Sequence, residues 1–186
     1  MENLDAAFFD RCRRGDADAY RPVVRHYQAY AYAVAFRILQ HEEDARDVVQ
    51  EAFVRAWRHM RAFDARKSFS TWLYRIVTRL CLDRLKSRRR KREMLERFSM
   101  ETDALADGPD EHLERREMAA LIQELIDQLP PRQRMVFVLR DIQDMDVRQV
   151  SEILKMPAHL VKSNLYYARE NIRKKLQAFS GGSAER

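Results

Sequence analysis

In residues 44–58, DARDVVQEAFVRAWR, the apolar side chains Ala45, Val48, Val49, Ala52, Phe53, Ala56 and Trp57 fall at steps of three and four. That spacing lays them along one stripe of an α-helix and does not fit the two-residue alternation of a half-buried strand. The same period recurs along the chain, and no stretch alternates apolar and polar residues for long. Four glycines and five prolines among 186 residues leave few places to break long helices. The expected fold class is all-α, and the length suffices for one ordinary domain or two small ones.

Local signals divide the chain further. LDAAFFDRCRRG reads as a short helix closed by Gly15 in a conformation glycine tolerates. The next helix starts at Asp16 or Asp18 as N-cap, with Pro22 in its first turn, and carries Tyr20, Val23, Val24, Tyr27, Ala31, Val34, Ala35 and Ile38 on its apolar side. A helix over about 42–61 follows. After the loop FDARKS, Ser70 or Thr71 is the expected N-cap of a helix beginning TWLYRIVTRLCLDRL. That helix enters RLKSRRRKR, residues 84–92, where seven of nine residues are basic. The sign then reverses: Glu101 to Glu117 holds seven acidic residues against two arginines around Gly108–Pro109. This shift marks the expected organisation: a domain over 1–96, a flexible acidic linker over 97–116, a second domain over 117–180 and a disordered tail over 181–186. In the second domain LERREMAALIQELIDQLP is an amphipathic helix stopped by Pro130–Pro131, RQRMVFVLRDI is another, and two more cover 147–154 and about 157–177.

The two last helices have helix-turn-helix spacing. Asp146 can cap the first of them, with Gln149 as its capping-box partner. Pro157 suits the first turn of the second, and Val161, Leu165, Ala168 and Ile172 continue the inward stripe. His159, Lys162, Ser163, Tyr166 and, partly, Tyr167 then point outward, with Arg169, Arg173, Lys174 and Lys175 as a basic flank. Such side chains bond base edges and phosphates in a major groove. They would also serve as the solvated face of an ordinary bundle.

A second constellation lies on the helix that starts near Thr71. Phe69, Trp72 and Tyr74 accompany Arg75, Arg79, Arg84 and the basic run, and aromatic faces beside phosphate-holding charges are what a single-strand binder uses. Trp72, Leu73, Ile76, Val77 and Leu80 equally suit a core, so Trp72 is open between core and DNA. On the 44–58 helix, Asp47, Gln50 and Glu51 stand at i, i+3 and i+4 and form an acidic and amide patch in a chain of net charge +6.

Other chemistries have little to build on. No Gly-rich phosphate loop or nucleophile–base pair stands out, and HEED at 41–44 lacks the second histidine of a zinc protease. Cys12 and Cys81 are far apart without C-x-x-C spacing, which argues against a disulfide framework or zinc site, and Cys81 between Leu80 and Leu82 reads as core. No 18-residue apolar run or N-terminal export signal is visible, so a soluble chain of a reducing compartment is expected. Catalytic residues, metal and cofactor are all expected to be absent.

Taken together, DARDVVQEAFVRAWRHMRAFD…FSTWLYRIVTRLCLDRLKSRRR resembles region 2, and LIDQLPPRQRMVFVLRDIQDMDVRQVSEILKMPAHLVKSNLYYAREN resembles region 4, of bacterial RNA polymerase sigma factors of the sigma-70 family. Two regions and a short linker resemble the extracytoplasmic-function (ECF) subfamily. The resemblance implies a region 2 bundle and a region 4 helix-turn-helix in a cytoplasmic transcription initiation factor. It implies as partners core RNA polymerase, through the clamp helices of the largest subunit and the flap, promoter DNA, and an anti-sigma factor, often membrane-tethered. By residue, it implies polymerase binding by Asp44, Asp47, Gln50 and Glu51. The minus-ten element would be read and melted by Phe63, Lys67, Phe69, Trp72, Tyr74, Arg75, Arg79, Arg84 and Arg88. The minus-thirty-five duplex would be read by His159, Lys162, Ser163, Tyr166, Tyr167 and Arg169. The chain departs from the family at Arg79, where asparagine is frequent, at Asn164 and Tyr167, where a basic residue is common, and at Lys155, which takes the place of a turn glycine.

Overall fold

A computed structural model describes residues 6–64, 66–98 and 124–182. Helix α1 (Ala6–Arg13) ends at Gly15, whose φ of +91° lies in the region open to glycine. Asp16 then caps α2 (Ala17–Leu39): its carboxylate accepts the Ala19 N–H at 3.0 Å and two Arg11 N–H groups at 3.0 and 2.8 Å. Together these bonds hold the Asp16 carboxyl below its ordinary range, the Ala19 amide contributing most. Helix α2 closes through Gln40 in the left-handed region, and α3 (Glu42–Arg58) begins at once, with His41 Nδ1 accepting the Asp44 N–H at 3.3 Å. A short 3₁₀ turn, Met60–Ala62, ends this segment.

Helix α4 (Phe69–Phe98) is 30 residues long, or about 45 Å at 1.5 Å per residue. It begins earlier than the sequence suggests, because Ser68 takes the capping role: its hydroxyl accepts the Thr71 N–H at 3.4 Å. It also runs through the whole basic segment, so residues 84–92 are helical. Of the expected linker 97–116, residues 97 and 98 complete α4 and the rest lies outside the described residues.

Beyond it, residues 124–127 are helical, and Pro131 opens α5 (Pro131–Phe137) at a position where its missing N–H is no loss. The helix widens into a π turn over Val138–Ile142. Helix α6 (Val147–Leu154) carries both bonds of the expected capping box, each 2.8 Å, between Asp146 and Gln149. Lys155 adopts the left-handed conformation itself, with φ 48° and ψ 46°, and so replaces glycine in the turn without changing its shape. Helix α7 (Ala158–Gly182) follows and extends into the segment expected to be a tail.

Helices α2, α3 and α4 surround a core of Val23, Ala31, Val34, Ile38, Val48, Ala52, Leu73 and Val77, each fully or almost fully buried. That core continues without a break into Val136, Leu139, Val150, Ile153 and Val161 of the second half, because α6 packs on α4. Leu125, Leu129, Ala168 and Ile172 form a smaller cluster between the 124–129 segment and α7. Among the described residues no helix is long and apolar enough to cross a membrane.

Candidate functional site

Three surfaces carry the residues singled out from sequence. On α3 the apolar stripe turns Ala45, Val48, Ala52, Phe53 and Ala56 inward, which leaves Asp47, Gln50 and Glu51 exposed in one row. Asp44 is different. Its carboxylate is only 15% exposed and lies between two arginines of α4, 3.2 Å from Arg84 Nη1 and also paired with Arg88 Nη2. Arg84 reaches Asp47 as well, at 3.7 Å, while Glu51 is bridged by Arg55 from its own helix. Gln50 is the row's uncharged member. It borders a groove of about 840 Å³ between α2 and α3, floored by Tyr20, Val24, Val49, Phe53 and Trp57. Tyr32 and Val54 line its sides. The sequence reading missed this groove, although its signal is present: Val49, Val54 and Trp57 widen the apolar stripe beyond what one neighbouring helix can cover.

The second surface is the 63–69 loop and α4, and here the structure corrects the sequence reading. Phe63, Phe69 and Tyr74, expected at the minus-ten surface, are core side chains. Phe69 sits among the rings of Phe9, Tyr27, Phe63 and Trp72, with centroids 5.0 to 5.6 Å away, because α1 and α2 close over the loop. Burial pushes the Tyr74 phenol up to about 12. Arg84 and Arg88 are turned toward α3 and the α2 terminus, where Arg88 Nη1 donates to the Leu39 carbonyl at 3.0 Å. Arg79 and Lys67 are exposed, and Trp72 and Arg75 are half-buried. Asp64, in the same loop, accepts two side-chain bonds and one backbone bond from Arg66, which lower its carboxyl to about 2. The loop therefore keeps a negative charge beside Lys67.

The third surface is the N-terminal half of α7. Val161, Leu165 and Ala168 are buried, so His159, Lys162, Tyr166 and Tyr167 share the outer side, with Ser163 half-buried beside them. Tyr166 and Tyr167 are 61% and 56% exposed and meet edge to face at 5.5 Å. Arg169 is also exposed, but its guanidinium is held by both oxygens of Asp141 at 2.8 and 2.7 Å. Asn164 points away from this surface, donating to the Leu160 carbonyl at 2.8 Å and lining a cleft against α4.

Residues 23–91 match the family description Sigma-70 region 2, and residues 119–172 match Sigma-70, region 4. The chain is 33% identical over 185 residues to the ECF RNA polymerase sigma factor SigW of Bacillus subtilis (strain 168), covering 95% of this chain and 99% of that one. It belongs to the ECF RNA polymerase sigma factors. The RNA polymerase sigma-H factor of Pseudomonas aeruginosa is 31% identical, covering 95% of each chain. A solved structure of CnrH in complex with the cytosolic domain of CnrY shares the fold, with a TM-score of 0.69 at 23% identity over 95% of this chain and 99% of that one. In this sigma factor, region 2 is the α2–α4 bundle with its acidic row and half-covered basic helix, and region 4 ends in the helix-turn-helix α6–α7. The family is one of transcription initiation factors.

Proposed function

We propose that this sigma factor docks on core RNA polymerase through the α3 row Asp47, Gln50 and Glu51 together with the apolar α2–α3 groove beside it. The observation that carries this reading is the pairing of an exposed acidic row with an unfilled apolar groove on one rigid helix pair. Such a surface suits a helical element with basic side chains flanking an apolar ridge, as the clamp helices of the largest subunit are implied to present. Asp44 supports the site from behind, holding Arg84 and Arg88 rather than meeting the polymerase. Region 4 would read the minus-thirty-five duplex through His159, Lys162, Ser163, Tyr166 and Tyr167, and would meet the polymerase flap. Region 2 would engage the minus-ten element through Lys67, Trp72, Arg75 and Arg79. Promoter selection follows from the two DNA surfaces acting on one polymerase in the cytoplasm. A structure of the sigma factor RpoE from Bartonella quintana contains the anti-sigma factor NepR, and it shares this fold at a TM-score of 0.65. On that basis an anti-sigma factor is proposed to restrain this chain until a signal arrives.

The test is co-elution with core RNA polymerase and run-off transcription. Wild-type protein should enter the complex and impose start sites that core enzyme lacks. Asp47→Lys with Glu51→Lys should keep the helix content and lose most of the binding, because both side chains lie outside the core. Unchanged affinity of that double variant would refute the docking surface.

A further inference from the structure

Resting on the reading of the 63–69 loop and α4 as the minus-ten surface, we infer that α1 and the 3₁₀ turn Met60–Ala62 extend it with a phosphate-binding pocket. Arg13, Arg14 and Arg61 form this pocket, which holds the backbone of the DNA strand flanking the minus-ten element. The pocket begins in the sequence of α1. Phe9 and Cys12 are buried, Phe9 against the rings of Phe63 and Phe69 with centroids 5.3 and 5.0 Å away, so α1 is fixed to the loop. Asp10, Arg13 and Arg14 stand at i, i+3 and i+4 and share one side of the last turn. That turn is held by the Arg14 N–H, which donates to the Asp10 carbonyl at 3.2 Å, and it ends at Gly15. Across from it, buried Met60 anchors the 3₁₀ turn and leaves Arg61 exposed. Asp10, Arg13, Arg14 and Arg61 line a cavity of about 370 Å³.

The charges in this cavity do not balance. Arginines at the end of α1 have an ordinary structural use, and two of them show it: Arg11 bonds Asp16, and Arg13 Nη1 donates to Asp10 Oδ1 at 3.1 Å. Arg14 and Arg61 have no side-chain hydrogen bond or ion pair among the described residues. Three guanidinium groups thus face one carboxylate, and a concave site lined by one sign of charge attracts an anion. A DNA strand fits better than a small anion. Every lining side chain is charged, so there is no surface for a base to stack on and only backbone phosphates are held. Exposed arginines bind a lone phosphate weakly in water, but they add to the hold on a polyanion that is already engaged nearby. That engagement is at hand, because the chain runs from Arg61 directly into the loop with Lys67, and Trp72 follows on α4. A strand lying over Trp72 and Lys67 therefore continues onto Arg61, Arg14 and Arg13.

The test uses holoenzyme assembled from core RNA polymerase and the full chain, with single-stranded probes from a promoter found by run-off transcription. One probe is the minus-ten element alone, and two others lengthen it by about six nucleotides on one side or the other, a span typical of single-strand grooves. Wild-type holoenzyme should bind one lengthened probe more tightly than the bare element. Arg14→Ala with Arg61→Ala should lose that gain and bind the bare element as the wild type does. Each single-strand phosphate contact adds about 0.7 to the slope of log affinity against log salt, so on the lengthened probe the double variant should be about 1.4 shallower. A fourfold rise in salt should then cost the wild type about sevenfold more affinity than it costs the variant. Asp10→Asn releases Arg13 and should steepen the wild-type slope by about 0.7, a gain that damage to the fold would not produce. Equal slopes for wild type and double variant, or equal weakening on bare and lengthened probes, overturn the pocket. So does loss of core-enzyme affinity in the double variant, which would make the arginines a protein contact. Inorganic pyrophosphate bound by the free chain more tightly than the holoenzyme binds the lengthened probe would make it a small-anion site, which also overturns it. Should holoenzyme bind preferred and scrambled minus-ten elements alike, the reading of α4 fails by itself, and the comparison of bare with lengthened probes still decides the pocket.

Discussion

Lys155→Gly tests how the helix-turn-helix is shaped. The turn is closed by Ser151, whose carbonyl accepts the N–H groups of both Lys155 and Met156 and whose hydroxyl donates to the Met156 carbonyl at 2.6 Å. This geometry requires a left-handed residue at 155, where Lys155 has φ 48° and ψ 46°. For a residue with a Cβ that conformation costs about 1–2 kcal/mol, while glycine has no such penalty. Glycine also frees the unfolded chain, which offsets about 0.5–1 kcal/mol of the gain. The expected net is a stabilisation of about 0.5–1 kcal/mol, or roughly 1–4 °C in Tm for a chain of this size. Lys155→Ala keeps the Cβ and should leave Tm nearly unchanged. Gln40 has the same strained backbone at φ 56°, but its side-chain amide donates to the Arg37 carbonyl at 2.8 Å, so Gln40→Gly should gain less. Denaturation monitored by circular dichroism measures all three. A lower Tm for Lys155→Gly, or equal shifts for the glycine and alanine variants, would refute the backbone argument.

Asp44→Ala should cost about 1–2 kcal/mol, a modest figure because Arg84 and Arg88 are each 37% exposed and water screens what they lose. It should also release both arginines, visible as tighter non-specific DNA binding with a steeper salt dependence. Lys162→Ala should weaken binding of polymerase holoenzyme by roughly 1–3 kcal/mol on promoters with the preferred minus-thirty-five sequence and far less on others, read by competition across a promoter panel. Equal weakening everywhere would make Lys162 a phosphate contact. Burial raises both thiols, Cys81 from 9.0 to about 12, so neither cysteine should react with a thiol reagent at pH 8 until the protein is unfolded. Because the folded value lies above the unfolded one, the thiol's contribution to stability is complete below pH 9 and is lost as pH rises from there toward 12, which alkaline denaturation should register.

What the sequence alone determined is what depends on neighbours a few residues away. The three-and-four spacing located the helices, and Asp16, Gly15 and the Asp146–Gln149 box marked their ends, because a cap bonds within its own turn. The exposed sides of α3 and α7 were legible for the same reason: once a stripe is buried, the opposite side has to face out. Periodicity does not say what covers a stripe, and there only the tertiary structure decided. Phe63, Phe69 and Tyr74 carry the composition of a stacking surface and became core because α1 and α2 close over them. Arg84 and Arg88 belong to a basic run, yet Asp44, some forty residues earlier in the chain, holds them. The contacts of Arg75 with Glu152 and of Arg134 with Ile38 span 77 and 96 positions. No local pattern encodes such pairs, since their energy arises only when packing brings distant carbonyls within reach of a desolvated guanidinium.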